Sequence, residues 1–142
     1  MPTRNASAVW EGGLQNGKGR FSGASGKIEG NYSFGTRFGE EPGTNPEELL
    51  AAAEAACFSM ALSLGLEQAG SPPTKVETKA ACTVEKVGDG FTITTIKLVV
   101  RATAPGISSE AFARIAQATK DGCPVSKALK GNVKIEMDAA LA

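Results

Sequence analysis

The chain has 142 residues, which is long enough for one domain of ordinary size with a buried core. Apolar residues make up 42% of it and charged residues 21%, a composition typical of a soluble globular protein rather than a disordered one. Basic and acidic residues number 15 each, so the formal net charge is zero, which excludes the basic surface expected of a nucleic-acid-binding or polybasic membrane-surface protein.

The residue types that are absent or scarce limit the chemistry further. The chain has no histidine, which excludes Ser-His-Asp hydrolases, Cys-His proteases and zinc sites built on imidazole. Its three cysteines are odd in number and widely spaced, which argues against a secreted disulfide scaffold and against a metal site made of thiolates. The first ten residues lack the apolar segment of a secretory signal, so we expect a cytoplasmic protein whose cysteines stay reduced unless they carry out redox chemistry.

The first 38 residues predict short strands separated by glycine turns. Residues 6–11 alternate with the period of two that is typical of a half-buried strand, and frequent glycines follow. Tyr32 and Phe34 are predicted to close this sheet, and residues 35–38 to lead out of it.

A long helix is predicted to begin after Asn45. Asn45 suits the N-cap, Pro46 the first helical position and Glu48 the capping-box position. Residues 49–66 are apolar nearly all round, which predicts a buried central helix. A membrane span is disfavoured, because the run is short and Glu54 at its middle would cost about 2.5–3.5 kcal/mol.

The rest of the chain predicts a hairpin, two helices and a final strand. Residues 74–87 and 91–104 read as strands around a Gly-Asp-Gly turn, and Ser108 or Ser109 is expected to cap a helix that runs to about Lys120. A short helix after Cys123-Pro124 and an alternating strand at 133–139 complete the order. The sequence therefore predicts a single α+β domain, residues 1–142, with an antiparallel sheet packed on a long buried central helix.

The cysteines admit more than one interpretation from the residues alone. Cys57 lies in the apolar helix, where it is either a small core residue or a nucleophile. Cys123 precedes a proline suited to start a helix, so it either caps a turn or is a thiol whose thiolate form is favoured by backbone dipoles. Cys82 falls on the apolar face of a strand and is assigned to the core.

Two charged residues also need an explanation. Glu54 is costly in an apolar helix unless it is paired or lies at a solvent edge. Arg37 follows the predicted sheet and is equally compatible with an ordinary surface position. Spacing and composition alone thus indicate an α+β protein in which a redox cysteine pair is one interpretation.

Two cysteine motifs, taken together, resemble those of the OsmC/Ohr family. The first is Gly43-Thr44-Asn45-Pro46-Glu47-Glu48-Leu49-Leu50 followed by Ala55-Ala56-Cys57-Phe58-Ser59-Met60-Ala61, and the second is Asp121-Gly122-Cys123-Pro124-Val125-Ser126. The segment from Tyr32 to Phe38 resembles the OsmC branch. The resemblance extends over essentially the whole chain, with the elements in the same order.

The resemblance implies a thiol-dependent peroxidase that prefers organic hydroperoxides, needs no cofactor and forms an intertwined homodimer with active sites at the subunit interface. By position it makes Cys57 the peroxidatic cysteine, Cys123 the resolving cysteine and Glu47 the active-site glutamate. Arg37 is the expected active-site arginine. Arg20 is the alternative, because the Ohr branch carries its arginine in a glycine-rich segment like Gly17-Lys18-Gly19-Arg20.

The chemistry of a buried thiol agrees with these assignments. An ordinary cysteine, with a pKa of about 8.5, is mostly thiol at neutral pH, and burial raises that pKa further. An arginine can offset this effect, and a glutamate can hold the arginine in place. Glu47 and Cys57 are ten residues apart, or about 15 Å along a helix. Glu47 therefore either lies outside the site or comes from a partner subunit.

The expected reaction begins when the Cys57 thiolate attacks a hydroperoxide and becomes a sulfenic acid. Cys123 then forms a disulfide with it, and a dithiol reductant resets the enzyme, for which the resemblance suggests a lipoyl-bearing protein or a small dithiol. Apolar neighbours of Cys57 favour alkyl and lipid peroxides over hydrogen peroxide. The alternatives are a redox-responsive regulatory domain without turnover and a ligand-binding dimer in which the cysteines only pack.

Overall fold

The computed structural model of the protein describes every residue from Met1 to Ala142. The chain divides into two compact units, Met1–Glu48 and Leu49–Ala142, and the boundary falls inside the long helix. The assignment of residues 1–142 to a single domain stays a prediction.

The first unit contains a three-stranded antiparallel sheet in the order β1-β2-β3, formed by β1 (Ala6–Glu11), β2 (Lys18–Gly23) and β3 (Glu29–Tyr32). Gly19 on the middle strand pairs with Trp10 on one side and Tyr32 on the other. A Cβ atom at Gly19 would lie 2.5 Å from the Tyr32 ring and 2.7 Å from the Trp10 ring. Glycine at this position therefore lets the two aromatic rings meet across the middle strand, with their centroids 5.5 Å apart.

A short helix, α1 (Phe34–Phe38), follows the first sheet where the sequence predicted only a connection. Ser33 and Thr36 form a reciprocal capping box: the Ser33 hydroxyl accepts from the Thr36 N–H, and the Thr36 hydroxyl accepts from the Ser33 N–H. This cap satisfies backbone donors of a helix that is otherwise too short to be stable alone.

The long helix α2 (Pro46–Gln68) begins as predicted, with the Asn45 Oδ1 atom accepting a hydrogen bond of 2.8 Å from the Glu48 N–H. It carries two stripes with a spacing of four residues on opposite faces. The inner stripe is buried and consists of Glu54, Phe58, Leu62 and Leu66. The outer stripe is exposed and consists of Ala52, Ala56, Met60 and Leu64, with Met60 80% exposed.

The predicted burial of this helix is therefore found on one face only within the single chain. By length and composition α2 is also apolar enough to cross a membrane, a test that the core helix of a globular protein passes as well.

The second unit contains a mixed three-stranded sheet. Strands β4 (Lys75–Val87) and β5 (Gly90–Thr103) form the predicted antiparallel hairpin. Strand β6 (Lys134–Leu141) pairs with β5 in parallel, so the expectation of a wholly antiparallel sheet is corrected. The reason is the connection: the chain crosses over through two helices, which returns it to the start of the sheet in the same direction.

These two helices are α3 (Ser109–Gly122), capped by the Ser108 hydroxyl, and α4 (Pro124–Leu129), whose N-cap is Cys123. Helices α2 and α3 approach closely at Gly65, where a Cβ atom would lie 2.8 Å from Cγ2 of Ile115. The core of this unit joins α2, β5 and α3, with Phe58, Leu62, Leu66, Ile96, Leu98, Val100, Phe112 and Ala116 fully buried. Cys82 packs against this core from β4, as predicted. The α+β class is confirmed.

Candidate active site

The two predicted redox cysteines lie together in the second unit. Cys57 is half-buried on α2, and Cys123 is buried at the junction of α3 and α4. Both are thiols in this structure, and they lie near enough for the Cys123 thiol to raise the pKa of Cys57.

The first turn of α4 provides one amide to each sulfur. The Ser126 N–H donates to the Cys123 sulfur over 3.5 Å, and the Val125 backbone N–H lies near the Cys57 sulfur and lowers the pKa of that thiol. These amides are among the donors that a helix N-terminus leaves without an intrahelical partner. The turn therefore binds both thiols through its backbone, and Pro124, at the first helical position, lacks the donor that would otherwise be left over.

The surroundings within one chain do not favour the Cys57 thiolate. Burial is the main cause that raises the pKa of Cys57, and the neighbouring Cys123 thiol and the negative charge of Glu54 raise it further. Only the Val125 N–H lowers this pKa, and no cation is among the causes. A nucleophilic Cys57 therefore needs a positive charge near its sulfur, which these surroundings do not provide.

Glu54 is fully buried beside the second cysteine. Its Oε1 atom accepts a hydrogen bond of 2.5 Å from the Ser126 hydroxyl and a longer one, 3.8 Å, from the Cys123 thiol. The Cys123 sulfur and the Ser126 hydroxyl oxygen are 3.3 Å apart. The other carboxylate oxygen, Oε2, is buried with no hydrogen-bond partner. The glutamate that the sequence left unexplained therefore belongs to the cysteine cluster.

Arg37 and Glu47 form a second pair, within the first unit. The guanidinium of Arg37 donates to Glu47 from Nε, over 3.0 and 3.2 Å to the two carboxylate oxygens, and from Nη2 over 2.8 Å. Glu47 is 5% exposed whereas the Arg37 side chain is 36% exposed, so solvent screens this ion pair mainly from the side of the arginine. Asn45 fixes the geometry, because its Nδ2 atom donates to the Thr36 carbonyl in α1 while its Oδ1 atom caps α2.

The alternative arginine has a different environment. Arg20 lies on β2 and pairs with Glu29 over 3.3 Å, and both side chains are about 60% exposed, at 62% and 61%. Exposed pairs of this kind contribute little to stability. Of the two candidate arginines, Arg37 is the one held by the glutamate that the sequence singled out.

An apolar cavity of about 260 Å³ adjoins the Arg37 side chain. Its walls are mainly aromatic and include Trp10, Tyr32, Phe34 and Phe38. The guanidinium also lies 5.1 Å from the centre of the Phe38 ring, within the range of a cation–π contact. A charged donor at the edge of an apolar pocket suits a ligand with one polar end and one hydrocarbon end.

The structure thus brings together two pairs of predicted residues, Cys57 with Cys123 and Arg37 with Glu47. The sequence did not single out the Ser126 hydroxyl or the Val125 amide. Both residues directly follow Cys123-Pro124, and a helix start at that point is the signal that predicts inward-pointing amides.

Comparison with known proteins gives consistent matches. The model of the OsmC-like protein family matches residues 39–138. The chain is 48% identical to peroxiredoxin OsmC of Escherichia coli over 134 residues, 94% of each protein. It is 32% identical to the organic hydroperoxide resistance protein OhrA of Bacillus subtilis over 104 residues, 70% of each.

Solved structures agree with the fold. The crystal structure of OhrB of Bacillus subtilis superposes with a TM-score of 0.74 at 26% identity, covering 95% of this chain and 97% of that one. An organic hydroperoxide resistance protein from Elizabethkingia anophelis gives a TM-score of 0.80 at 24% identity, covering 100% and 98%. Together with the paired cysteines on α2 and at the start of α4, these matches show that the chain belongs to the OsmC-like protein family.

Proposed function

We propose that this protein is a cysteine-based peroxidase that reduces organic hydroperoxides to alcohols through a Cys57 sulfenic acid and a Cys57–Cys123 disulfide. A peroxidase role agrees with the names of its relatives, which are a peroxiredoxin and organic hydroperoxide resistance proteins. The two-cysteine mechanism is the further step and rests on the geometry of this chain.

The closeness of the Cys57 and Cys123 thiols is the observation that carries the proposal, since the Cys123 thiol lies near enough to raise the pKa of Cys57. A sulfenic acid formed on Cys57 has the second thiol as a near neighbour, so the disulfide can form without a large rearrangement. Cys57 is the more exposed of the two and therefore meets the peroxide, whereas Cys123 is 1% exposed and acts second. A pair of merely packing cysteines has no need of an amide donor for each sulfur.

Activation of Cys57 is assigned to Arg37 and Glu47 of a second copy of the chain. Helix α2 is continuous, so Glu47 lies about 15 Å along its axis from Cys57. The cation that Cys57 needs is therefore supplied across a subunit interface, where Arg37 stabilises the thiolate and binds the peroxide oxygen. Glu47 holds the guanidinium in position through its hydrogen bonds.

The outer stripe of α2 supports the same homodimer. An apolar helix face with Met60 80% exposed and Leu64 54% exposed is unfavourable in water, and a second copy that covers it removes that cost. Helix α2 would then be central in the assembly, as the sequence predicted. Lipid is not the proposed cover, because the inner stripe of the same helix packs in a protein core and includes Glu54.

The substrate preference follows from the cavity beside Arg37. Its aromatic walls accommodate a hydrocarbon chain, while the guanidinium binds the peroxide end, so alkyl hydroperoxides are preferred to hydrogen peroxide. We assign the second half of the cycle to a dithiol reductant, either a lipoyl-bearing protein or a small dithiol. The cytoplasmic location stays a prediction.

The direct test is anaerobic titration of the reduced protein with one equivalent of cumene hydroperoxide, followed by peptide mapping under non-reducing conditions. The expected product is one Cys57–Cys123 disulfide per chain, absent from Cys57→Ser and retained in Cys82→Ser, which alters the cysteine that packs against the core. Three thiols left after the titration would overturn the peroxidase proposal. A disulfide that forms without catalytic consumption of peroxide in the presence of dithiol would favour a redox-responsive domain instead.

A further inference from the structure

We propose that Glu54 is the proton acceptor for Cys123 when Cys123 attacks the oxidised Cys57. This inference rests on the proposed two-cysteine reaction and assigns a role to the one buried ionisable group that the reaction described above leaves unused.

The buried position of Glu54 lowers the stability of the fold. The side chain is fully buried on the inner stripe of α2, where the next three members are Phe58, Leu62 and Leu66. It takes part in none of the five salt bridges of the chain, and its Oε2 atom has no hydrogen-bond partner. A buried carboxylate without a cation is strongly unfavourable. An apolar residue would fill this place without that cost.

Activation of Cys57 does not explain the carboxylate. Its negative charge is one of the causes that raise the pKa of Cys57, so it opposes the thiolate needed for the first step. The reacting atom to which Glu54 is hydrogen-bonded is the sulfur of Cys123.

The contacts form two short routes from the Cys123 thiol to Glu54. The direct route is the hydrogen bond of 3.8 Å from Sγ to Oε1. The shorter route passes through Ser126: the Cys123 sulfur lies 3.3 Å from the Ser126 oxygen, whose hydroxyl donates to Oε1 over 2.5 Å. The Ser126 oxygen can accept the thiol proton while it passes its own proton to Glu54.

The step is balanced as follows. The Cys123 sulfur forms a bond to the Cys57 sulfur, and the S–O bond of the sulfenic acid breaks. The thiol proton of Cys123 passes to Glu54, and the departing hydroxide takes up a proton from solvent to leave as water. Glu54 then returns its proton to solvent, so the net products are a disulfide and one water. The Cys57 sulfur is reduced and the Cys123 sulfur is oxidised, and no other oxidant is needed.

A path to solvent completes the arrangement. A surface cavity of about 140 Å³ reaches Ser126 and is flanked by Lys120, Asp121 and Lys130. The titratable groups of the relay are the two thiols and Glu54, and those of the cavity are these three charged residues. Protons can exchange between Glu54 and water through the same hydroxyl that receives them from Cys123.

The test separates the two chemical steps in single-turnover experiments on the reduced protein. One equivalent of cumene hydroperoxide is mixed with wild type, Glu54→Gln, Ser126→Ala and the control Glu67→Gln, which changes an exposed glutamate on the same helix. Sulfenic acid at Cys57 is trapped with dimedone, and disulfide is measured by quenched flow across a range of pH.

In Glu54→Gln we expect sulfenic acid to form at least as fast as in wild type, since a negative charge near Cys57 has been removed. Disulfide formation should be about 100-fold slower, the usual loss when a general base is removed, so that the dimedone adduct accumulates. Its rate should rise steeply with pH, because Cys123 then depends on hydroxide in bulk water. Ser126→Ala should lie between wild type and Glu54→Gln, since the direct route remains, and Glu67→Gln should match wild type.

Disulfide formation in Glu54→Gln with the rate and pH profile of wild type would overturn the inference while leaving the peroxidase proposal intact. Failure of wild type to form either the dimedone adduct or the disulfide would overturn the peroxidase proposal itself. Should glutamine prevent folding, Glu54→Asp keeps an acid at this site: a shallow pH profile then supports the relay, and a steep one overturns it.

Discussion

Removal of the Glu47 carboxylate tests the assignment of the active-site arginine. In Glu47→Gln the side chain keeps its size, but it loses its charge and one of the two oxygens that receive the Arg37 hydrogen bonds. Hydrogen bonds to charged groups contribute about 1.5–3 kcal/mol. Because the Arg37 side chain is 36% exposed, we take the lower part of this range, about 1.5–2 kcal/mol.

At about 1.4 kcal/mol for each factor of ten, the expected loss in the rate of Cys57 oxidation is about 10- to 30-fold. The rate is measured by stopped flow with cumene hydroperoxide, and the thermal midpoint of each variant shows that it has folded. The matched control is Glu29→Gln, which breaks the exposed pair of Arg20 and should change the rate less than about threefold.

Two results would refute this reasoning. A wild-type rate in Glu47→Gln would remove the ion pair from catalysis, and an equal loss in Glu29→Gln would transfer the role to Arg20. A double variant gives a further check: Arg37→Met combined with Glu47→Gln should be no slower than Arg37→Met alone, because the glutamate acts through the arginine.

Three further predictions concern Cys57, the outer stripe and the α2–α3 contact. Burial raises the pKa of Cys57, so in Arg37→Met the pH midpoint for alkylation of Cys57 by iodoacetamide should lie above that of an ordinary thiol. The wild-type midpoint should lie below that of Arg37→Met. Equal midpoints in the two proteins would show that Arg37 does not act on the Cys57 thiol. Met60→Glu places a charge on the outer stripe, so we expect a folded monomer by analytical ultracentrifugation and little turnover of peroxide. Met60→Leu should stay dimeric, and a dimeric Met60→Glu would contradict the proposed interface. Gly65→Ala should lower the free energy of unfolding, measured in urea, by about 1–3 kcal/mol, because the added methyl group would lie 2.8 Å from Ile115. Adding Ile115→Ala to Gly65→Ala should restore much of this loss. A Gly65→Ala protein more stable than wild type would contradict this packing argument.

Much of the fold could be predicted because its signals are local. Asn45-Pro46 starts α2 through hydrogen bonds between neighbours in sequence, and the alternation along β4 depends only on the two faces of a strand. Helix α1 was not predicted, because its capping box has Thr36 where glutamate or glutamine is usual, and Gly35 weakens the helical pattern. The parallel pairing of β6 was also missed, although a connection through two helices favours it.

The candidate site was predictable as a set of residues but not as an arrangement. Motifs placed Cys57 and Cys123 in two segments, whereas their contact depends on how α3 and α4 pack against α2. The sequence indicated that a buried Glu54 would be unfavourable, yet its partner Ser126 is 72 residues away in the chain. Helix and strand periodicities predict contacts only between residues close in sequence, so this pairing could not be predicted. The separation of Glu47 from Cys57 was predictable, because it follows from the rise of a single helix.

The two amides at the start of α4 have a consequence for the redox potential of the cysteine pair. A thiolate accepts an N–H hydrogen bond much better than a disulfide sulfur does, so the Val125 and Ser126 amides stabilise the reduced state more than the oxidised one. A couple whose reduced form is stabilised in this way has a more positive potential and gives up its disulfide readily to a dithiol. In the proposed cycle the short helix therefore favours return of the disulfide to the thiols, and this backbone contribution adds to the one assigned to the Arg37 guanidinium.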